Sequence, residues 1–463
     1  MADARRSSLL LNPQHILRTA NLSFDKGVLA EILAPIMGKG LIPADYATWS
    51  TRRRALVPGF HSAWLSHMVG LFSHCTQPLV AQLGELSASG EVINMEDAFC
   101  SLSLDIIGLS VFNYSFGSVT RQSPVIKAVY NVLREAEHRS TFYFPYWNIP
   151  FNELVVPRQK AFQADLKVIN DTLNALIKQA QATQSVTDLA ELEARDYANV
   201  KDPSLLRFLV DMRGESTTNV QLRDDLMTML IAGHETTAAV LTWALFRLAQ
   251  EPGYLAKVRT EIDEVLPRGE APDYAALRRL TRVRLCVAES LRLYPEPPIL
   301  IRRALEKVPL PRGGASAAVT LPKGADVFIS LYNLHRSPAL WDDPDAWNPD
   351  RFLSAKSAEG AGVEGWEGMT AYAPELGPTS PLYPNEVATD FAFLPFGGGA
   401  RKCIGDQFAV LEATVVLAQV LQRYDFAFEG TPDDVGMVTG ATIHTANGLR
   451  MRVSKRPGWA PAA

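Results

Sequence analysis

The sequence predicts an α+β fold that is mostly helical. Apolar residues recur at three- and four-residue spacing through the first two thirds of the chain, as over 48–83 and 219–250, which is typical of helices with a buried face. After residue 295 the pattern changes to short apolar runs typical of strands, as over 326–334. The segment 442–454 predicts a closing hairpin because it contains an Asn-Gly pair between two such runs.

Length and composition predict one large folded unit. The chain has 463 residues, 47% of them hydrophobic, which suffices for a large buried core. We therefore expect residues 1–463 to form a single domain. The segment 354–390 is rich in Gly, Ser and Pro and predicts a long insertion loop, and loops of this length are commonly functional.

Charge and cysteine usage exclude several classes of protein. The net charge is −5, whereas a nucleic-acid-binding protein normally presents a strongly basic face. The four cysteines show no CxxC spacing, which argues against a disulfide scaffold and a structural zinc site. No run of eighteen uninterrupted apolar residues occurs, so the sequence predicts no membrane-spanning helix.

The first candidate site is AGHETT (232–237), in the middle of the long apolar helix predicted over 219–250. Gly233 costs about 1 kcal/mol there relative to alanine. Glu235 is an acid in a segment that looks buried, and Thr236 can bond to a carbonyl one turn back and open the helix. The residues could form a polar groove that holds a small ligand and passes protons, or the helix could simply be dented by packing against a neighbour.

The second candidate is a cluster of charges. Glu289 and Arg292 lie three residues apart in ESLR and share one helix face, a spacing that is equally typical of an exposed pair of little energetic value. Arg351 follows a proline in NPDRF (348–352). If Arg351 joined the other two, a buried triad would result, and loss of one member would be strongly destabilising.

The third candidate is the loop 391–405, which contains FGGGARKCIG. Its three glycines let the backbone approach a flat ligand closely, and Arg401 offers a fork of donors for a carboxylate. Cys403 stands where a helix begins, and a helix N-terminus stabilises a thiolate. The pattern is typical of haem-thiolate ligation. An inert cysteine or a phosphate-binding glycine loop fits less well, since the lysine and serine of phosphate loops are absent.

Together these motifs resemble the cytochrome P450 family of haem-thiolate monooxygenases, and the resemblance extends from about residue 12 to the end. It is carried, in order, by WSTRR (49–53), AGHETT, ESLR, NPDRF and FGGGARKCIG. Other segments resemble the plant and algal plastid carotenoid-hydroxylase branch, among them DKGVLAEILAPIMGKGLIPAD, NLHRSP and TGATIH. The insertion around GWEG and LYPNEVATDFAFLPFGGG is most similar to the B-type subfamily of that branch.

The resemblance implies a large helical domain around a long central helix, a small β-rich domain, and haem b (iron protoporphyrin IX) with Cys403 as the axial iron ligand. It implies that the haem propionates are held by Trp49, Arg53, Arg401 and Arg303. Further haem contacts are implied for Phe396, Gly397 and Ala232. It implies that Glu235 and Thr236 deliver protons to dioxygen and that Glu289, Arg292 and Arg351 form a structural triad. Substrate contacts are implied for Ile299, Leu300, Ala441 and Thr442.

The implied function is O₂-dependent hydroxylation of the β- or ε-ring of carotenes in xanthophyll biosynthesis, in the chloroplast. The chain carries no flavin or nicotinamide motif, so electrons from NADPH or ferredoxin would arrive through a separate ferredoxin or flavoprotein reductase. The expected partners are that protein, a lipophilic carotenoid and a membrane surface, and no nucleic acid.

Two alternatives remain open from the sequence. A haem-thiolate isomerase or dehydratase acting on hydroperoxides is disfavoured by Thr236, which such relatives tend to lose. An inactive relative is suggested because the family's N-terminal strands and plastid leader are expected to be missing from the chain.

Overall fold

The computed structural model describes residues 10–121, 124–141, 146–183, 202–213, 218–311, 319–359, 361–374 and 380–459. The chain divides into two compact units, each made of several chain segments. Unit 1 comprises residues 1–27, 72–99 and 236–463, and unit 2 comprises residues 28–71 and 100–235. The expectation of a single domain stays a prediction.

Helices dominate, as the sequence predicts. The α-helices of the described residues, in chain order, are α1 (Leu11–Gln14), α2 (Val28–Met37), α3 (Tyr46–Leu56), α4 (Ser62–Ser89), α5 (Met95–Phe112), α6 (Pro124–Thr141), α7 (Asn152–Val155), α8 (Pro157–Ala182), α9 (Leu205–Arg213), α10 (Asn219–Gln250), α11 (Pro252–Val265), α12 (Tyr274–Arg279), α13 (Thr281–Leu293), α14 (Leu331–Leu334), α15 (Asp406–Arg423) and α16 (Pro432–Val435).

The strands are short, and the described ones lie in unit 1. They are β1 (Phe24–Asp25), β2 (Val92–Asn94), β3 (Ile299–Ala304), β4 (Val308–Pro309), β5 (Thr320–Leu321), β6 (Asp326–Ser330), β7 (Lys356–Ser357), β8 (Gly368–Met369), β9 (Tyr424–Phe428), β10 (Val438–Thr439), β11 (Ile443–His444) and β12 (Arg450–Lys455). They form antiparallel sheets in the orders β1-β3-β6 and β2-β12-β9 and the pairs β4-β5, β7-β8 and β10-β11. The α+β, mostly α prediction is confirmed.

The predicted hairpin over 442–454 is wrong. Strand β11 pairs with β10, whereas β12 pairs with β2 and β9. The turn residue Gly448 does have a positive φ of 80°. The local turn signal was therefore right, but pairing with distant strands determined where β12 lies.

Unit 1 is built around α13 and α15, which pack against each other. Helix α15 is buried along nearly its whole length, so its apolar residues face neighbours on all sides. A second apolar cluster in this unit contains Trp341, Phe352 and Phe393, whose rings contact one another. This cluster joins the α13 region to the segment that leads into the cysteine loop.

In unit 2, α8 packs along α6 and also contacts α7 and α9. A buried ion pair connects α3 to α10, because the Arg52 guanidinium donates to Asp225 Oδ1 at 2.9 Å. The neighbouring Asp224 accepts the Lys39 N–H at 2.8 Å, which holds the segment after α2. These contacts fix the position of α3, which carries Trp49 and Arg53.

The insertion 354–390 is partly described and contains the β7-β8 pair. Trp366 donates through Nε1 to Asp390 Oδ1 at 3.2 Å. Burial raises the pKa of the Asp390 carboxyl. The insertion also lines a cavity of about 490 Å³ together with Arg351 and Phe352. The insertion is therefore packed onto the fold over its described residues.

Helix α10 is the one described helix that is long and apolar enough to cross a membrane by length and composition. Of its most apolar stretch, 72% is buried inside the fold. This burial is what a core helix shows, and the helix corresponds to the long apolar helix that the sequence predicts.

Candidate haem-thiolate site

The cysteine loop is a tight backbone turn that leads into α15. The Cys403 N–H donates to the Phe396 carbonyl at 2.9 Å, and the Gly397 N–H donates to the Leu394 carbonyl at 3.1 Å. Gly397 and Gly399 have φ values of 71° and 69°, in the left-handed region that favours glycine. A Cβ on Gly399 would collide with the Leu17 carbonyl oxygen. The glycines are thus required by the turn and by the backbone that crosses it.

Cys403 itself is exposed, although Phe393 and Leu394 before it and Asp406 after it are buried. Its thiol therefore lies open on the loop, three residues before the first residue of α15. An accessible sulfur at the start of a helix is suited to ligating a metal, whereas a structural cysteine is normally enclosed and inert.

A cluster of cations lies near this loop, formed by Lys26, Arg302 and Arg401. The acid among them is Asp25, whose Oδ1 accepts from Arg401 at 3.2 Å. Burial and the charge of Arg401 lower the pKa of Arg302 to about 10, and burial with Arg302 and Arg401 lowers that of Lys26 well below its usual value. With all three basic side chains protonated, they and the one carboxylate carry a net charge of +2, and an anionic ligand would favour that protonated state. The two propionates of a haem carry the opposite charge, so the residues fit this group.

The Arg303 side chain is paired with an acid of the sheet, whereas the resemblance implies that it holds a haem propionate. Its guanidinium donates to both oxygens of Asp326, at 2.9 and 2.6 Å, across the β3-β6 pair. Successive residues of a strand point to opposite faces. Arg302 is therefore on the same face as Leu300, whose Cδ1 is 3.9 Å from where a Cβ on Gly397 would stand. Of the two adjacent arginines, Arg302 is the one directed toward the cysteine loop.

Helix α10 runs unbroken through AGHETT, so the structure shows no interruption there. Gly233 packs closely on Ile107 of α5, and a Cβ would collide with that side chain. Ala232, Glu235 and Thr236 are half-buried within a mostly buried helix. Because they are three and four residues apart, they share one face. The close packing of Gly233 agrees with the interpretation of a helix dented by a neighbour, and the polar groove stays a prediction.

In unit 2, Trp49 and Arg53 lie four residues apart on α3. The Arg53 guanidinium carbon is 5.8 Å from the centroid of the Trp49 ring, a cation–π arrangement. Arg53 is half-buried, whereas Arg52 is buried in its ion pair with Asp225. Arg53 is thus the arginine of this pair that could reach a ligand.

The structure brings Glu289, Arg292 and Arg351 together in unit 1. Arg292 donates to both carboxylate oxygens of Glu289 at 2.8 Å, and Arg351 Nε donates to Glu289 Oε1 at 3.0 Å. Glu289 and Arg292 are fully buried. Arg292 also donates to the carbonyls of Pro344 and Ala346. The triad therefore holds the backbone that leads to NPDRF.

His335 connects this triad to the cysteine loop. Arg292 donates to the His335 carbonyl at 2.8 Å, and the His335 Nε2 accepts the Leu394 N–H at 2.9 Å. Burial, with the nearby Arg292 charge, lowers the pKa of His335 to about 3. A neutral imidazole is required here because a protonated one could not accept the Leu394 N–H.

The residues implied as substrate contacts lie on two elements of unit 1. Ile299 is 43% exposed at the start of β3, and Leu300 faces Gly397. Ala441 and Thr442 lie in the turn between β10 and β11, where Ala441 is exposed and Thr442 is buried.

Three functional positions were missed from the sequence. Lys26 and Arg302 belong to the cation cluster, and His335 supports the loop. Arg302 could have been considered because it lies next to Arg303 in the sequence. Which of the two side chains points toward the cysteine loop, however, depends on how β3 pairs with β6. NLHRSP contains His335, yet its link to Leu394 spans 59 residues.

An accessible thiol on a glycine turn, beside cations that match two carboxylates, defines a haem-thiolate protein. The family profile described as "Cytochrome P450" matches residues 13–445. The chain belongs to the cytochrome P450 family, and its assignment as a haem-dependent monooxygenase that uses O₂ is confirmed at the level of the family.

Curated relatives cover almost the whole chain. It is 56% identical over 453 residues to "Cytochrome P450 97B2, chloroplastic" of Glycine max, which covers 96% of this chain and 77% of that protein. It is 44% identical to "Protein LUTEIN DEFICIENT 5, chloroplastic" of Arabidopsis thaliana, covering 96% and 69%. It is 42% identical to "Carotene epsilon-monooxygenase, chloroplastic" of the same plant, covering 96% and 76%. The predicted branch and B-type subfamily are confirmed.

A solved structure supports the fold. The crystal structure of the cytochrome P450DA heme domain superposes with a TM-score of 0.74 and 24% identity, covering 94% of this chain and 86% of that one. The cytochrome P450 fold predicted from the motifs is therefore confirmed.

Proposed function

We propose that this cytochrome P450 hydroxylates a ring carbon of a carotenoid in the chloroplast. The observation that carries the proposal is the 42% identity over 96% of the chain to a carotene ε-monooxygenase, together with an intact cysteine loop. The relatives named above are chloroplastic, which supports the location. Whether the ring is of the β or the ε type is for the product analysis below to decide.

The residues of the chain support binding of haem b. Cys403 would ligate the iron, and Arg401, Arg302 and Lys26 would hold the propionates. Further haem contacts remain predicted for Trp49, Arg53, Phe396, Gly397 and Ala232. Arg303, which the resemblance also assigns to a propionate, is paired with Asp326. When bound, the haem supplies activation of dioxygen with electrons from a separate redox partner.

Glu235 and Thr236 support the proton delivery that O₂ activation needs. They occupy the half-open face of α10 within an otherwise buried stretch. A carboxyl and a hydroxyl there can hold water and pass protons inward from it. Retention of Thr236 favours the monooxygenase over a hydroperoxide isomerase, which takes up no protons from solvent and no electrons.

An exposed apolar patch in unit 2 supports association with a membrane surface. Phe151, Leu154 and Val155 are 72%, 77% and 71% exposed, and Ile149 lies beside them. Phe151 has a positive φ of 57°, and Arg158, which follows the patch, is paired with the buried Glu135. Exposed aromatic and aliphatic side chains are suited to the interface of a lipid surface, from which a carotenoid would be taken up.

Product analysis tests the function. The chain would be co-expressed with a ferredoxin and its reductase in a host that accumulates α- and β-carotene. We expect ring-hydroxylated products, absent with Cys403→Ala. Turnover of a hydroperoxide without reductase, with unchanged carotenes, would instead establish the isomerase.

A further inference from the structure

The insertion 354–390 is bonded to the first turn of α15, just beyond the cysteine loop. The Tyr383 hydroxyl donates to Asp406 Oδ2 at 2.6 Å, and Gln407 Nε2 donates to Glu386 Oε1 at 2.5 Å. Asp406 and Gln407 are the first two residues of the helix. The insertion therefore contacts the helix at two neighbouring positions, and one of them is a charged side chain.

Asp406 places a carboxylate close to Cys403. It follows the cysteine by three residues, so the two Cα atoms are at most about 11 Å apart. Asp406 is buried, and water and salt therefore screen its charge less than they would at the surface. The carboxylate also pairs with the ammonium of Lys402, the residue before the cysteine. The electric field at the sulfur thus depends on the charge of Asp406 and on the donors that bond to it.

Tyr383 is enclosed between the insertion and the cysteine loop. Its side chain is buried, and its ring packs on Phe396 of the loop with centroids 5.0 Å apart. The Lys402 ammonium lies 5.5 Å from the centroid of the same ring. Burial, the charge of Asp406 and, to a smaller extent, the charge of a Cys403 thiolate raise the pKa of Tyr383. The hydroxyl is therefore protonated at neutral pH and donates to Asp406.

Electrostatics gives the sign of the effect of these contacts on a bound haem. Reduction from the ferric to the ferrous state lowers the charge of the site by one, so a nearby carboxylate disfavours it. A donor that bonds to the carboxylate weakens the field of its negative charge and so favours reduction. The Tyr383 hydroxyl and the Lys402 ammonium both act on Asp406 in this way.

We propose that Tyr383 is a positioning residue for the haem thiolate, and that its hydrogen bond to Asp406 raises the reduction potential of the iron. Tyr383 acts through Asp406 and is not itself a ligand of the iron. The inference goes beyond the proposed function, because it concerns the redox chemistry of the cofactor and holds for any substrate. It also assigns a task to the insertion 354–390, which carries Tyr383 to the start of α15.

Reduction potentials of the haem-reconstituted protein test the inference, measured by redox titration of the Soret band. Tyr383→Phe removes one donor to Asp406 and should shift the potential to a more negative value. Asp406→Asn removes the charge and should shift it to a more positive value. A unit charge about 10 Å away, at an effective dielectric constant of about 20, changes the ferric–ferrous equilibrium roughly tenfold, or about 59 mV for a one-electron couple. The shift in Tyr383→Phe should be smaller, because the charge remains.

Tyr372 offers a matched control in the same insertion. Its hydroxyl donates to the Leu382 carbonyl at 2.8 Å, so it holds the backbone next to Tyr383 through a carbonyl instead of through Asp406. Tyr372→Phe also loses a buried hydrogen bond but should leave the potential unchanged. In the Asp406→Asn background, Tyr383→Phe should cause little further shift, because the hydroxyl acts through the charge. Equal shifts in the two tyrosine variants, or shifts of the same sign in Tyr383→Phe and Asp406→Asn, would overturn the inference in favour of a purely structural role.

The potentials separate this inference from the proposed function, because they are measured without substrate. Carotene hydroxylation together with an unchanged potential in Tyr383→Phe would overturn the inference and leave the function standing. Opposite shifts in Tyr383→Phe and Asp406→Asn, with no hydroxylation of either carotene, would support the role of Tyr383 and refute the function.

Discussion

The single variants Arg302→Met and Arg303→Met should differ in their effects, because only Arg302 belongs to the cation cluster near the cysteine loop. Lowering of the Arg302 pKa from its usual value to about 10 means that the surroundings of this guanidinium disfavour its charge by about 3 kcal/mol. Arg302 is still charged at neutral pH, so the apoprotein carries this cost. Arg302→Met should not lower, and should tend to raise, the Tm of the apoprotein.

Haem binding should respond in the opposite direction. A propionate bonded to Arg302 forms a charge-assisted hydrogen bond worth roughly 1.5–3 kcal/mol, so Arg302→Met should raise the Kd for haem about 10- to 100-fold. Arg303→Met loses the partly exposed Asp326 pair and should change the Kd less than about threefold. The assay is titration of apoprotein with haem, followed in the Soret band. A larger loss of haem affinity in Arg303→Met than in Arg302→Met would refute the reasoning.

Three other predictions concern stability and membrane binding. Glu289→Gln leaves two arginines without their carboxylate and should cost about 3–5 kcal/mol in denaturant unfolding, whereas Asp171→Asn, at the exposed pair with Lys167, should cost less than about 1 kcal/mol. In the unfolded chain His335 binds a proton below pH about 6.5, whereas in the folded protein it does so only near pH 3. The free energy of unfolding should therefore decrease by up to about 1.4 kcal/mol for each unit that the pH is lowered from about 6.5 to about 3. A wild-type profile no steeper than that of His335→Gln would contradict this. Phe151→Ser with Leu154→Ser should weaken sedimentation with phosphatidylcholine–phosphatidylglycerol vesicles at least tenfold, while Val387→Ser, at an exposed valine of unit 1, should not. Equal effects of the two changes would show that the patch does not mediate membrane binding.

The features that the sequence predicted well are coded by neighbouring residues. The cysteine loop depends on glycines within a few positions of Cys403, and their positive φ values are local requirements. Glu289 and Arg292 are one helical turn apart, so their shared face follows from helix geometry. The contact of Arg351 with Glu289 could not be predicted from local sequence, because the two residues are 62 positions apart. The NPDRF turn nevertheless identified Arg351 as a candidate.

The features that were missed depend on pairing between distant segments. The register of β3 with β6 determines that Arg303 meets Asp326, which leaves Arg302 on the other face. Lys26 joins Arg302 and Arg401 from positions hundreds of residues away in the chain. The Asn-Gly pair at 447–448 predicted a turn correctly, but strand β12 found its partners in β2 and β9. Local propensity does not encode such choices.

The most direct test of the account is the ferrous–CO difference spectrum of the purified, haem-reconstituted protein. We expect the red-shifted Soret band of thiolate ligation in the wild type and its loss in Cys403→Ala. Cys75, which is buried, offers a matched control, and Cys75→Ala should keep the band. A wild-type spectrum without the red-shifted band, or the same band in Cys403→Ala, would contradict the claim that Cys403 holds the haem iron.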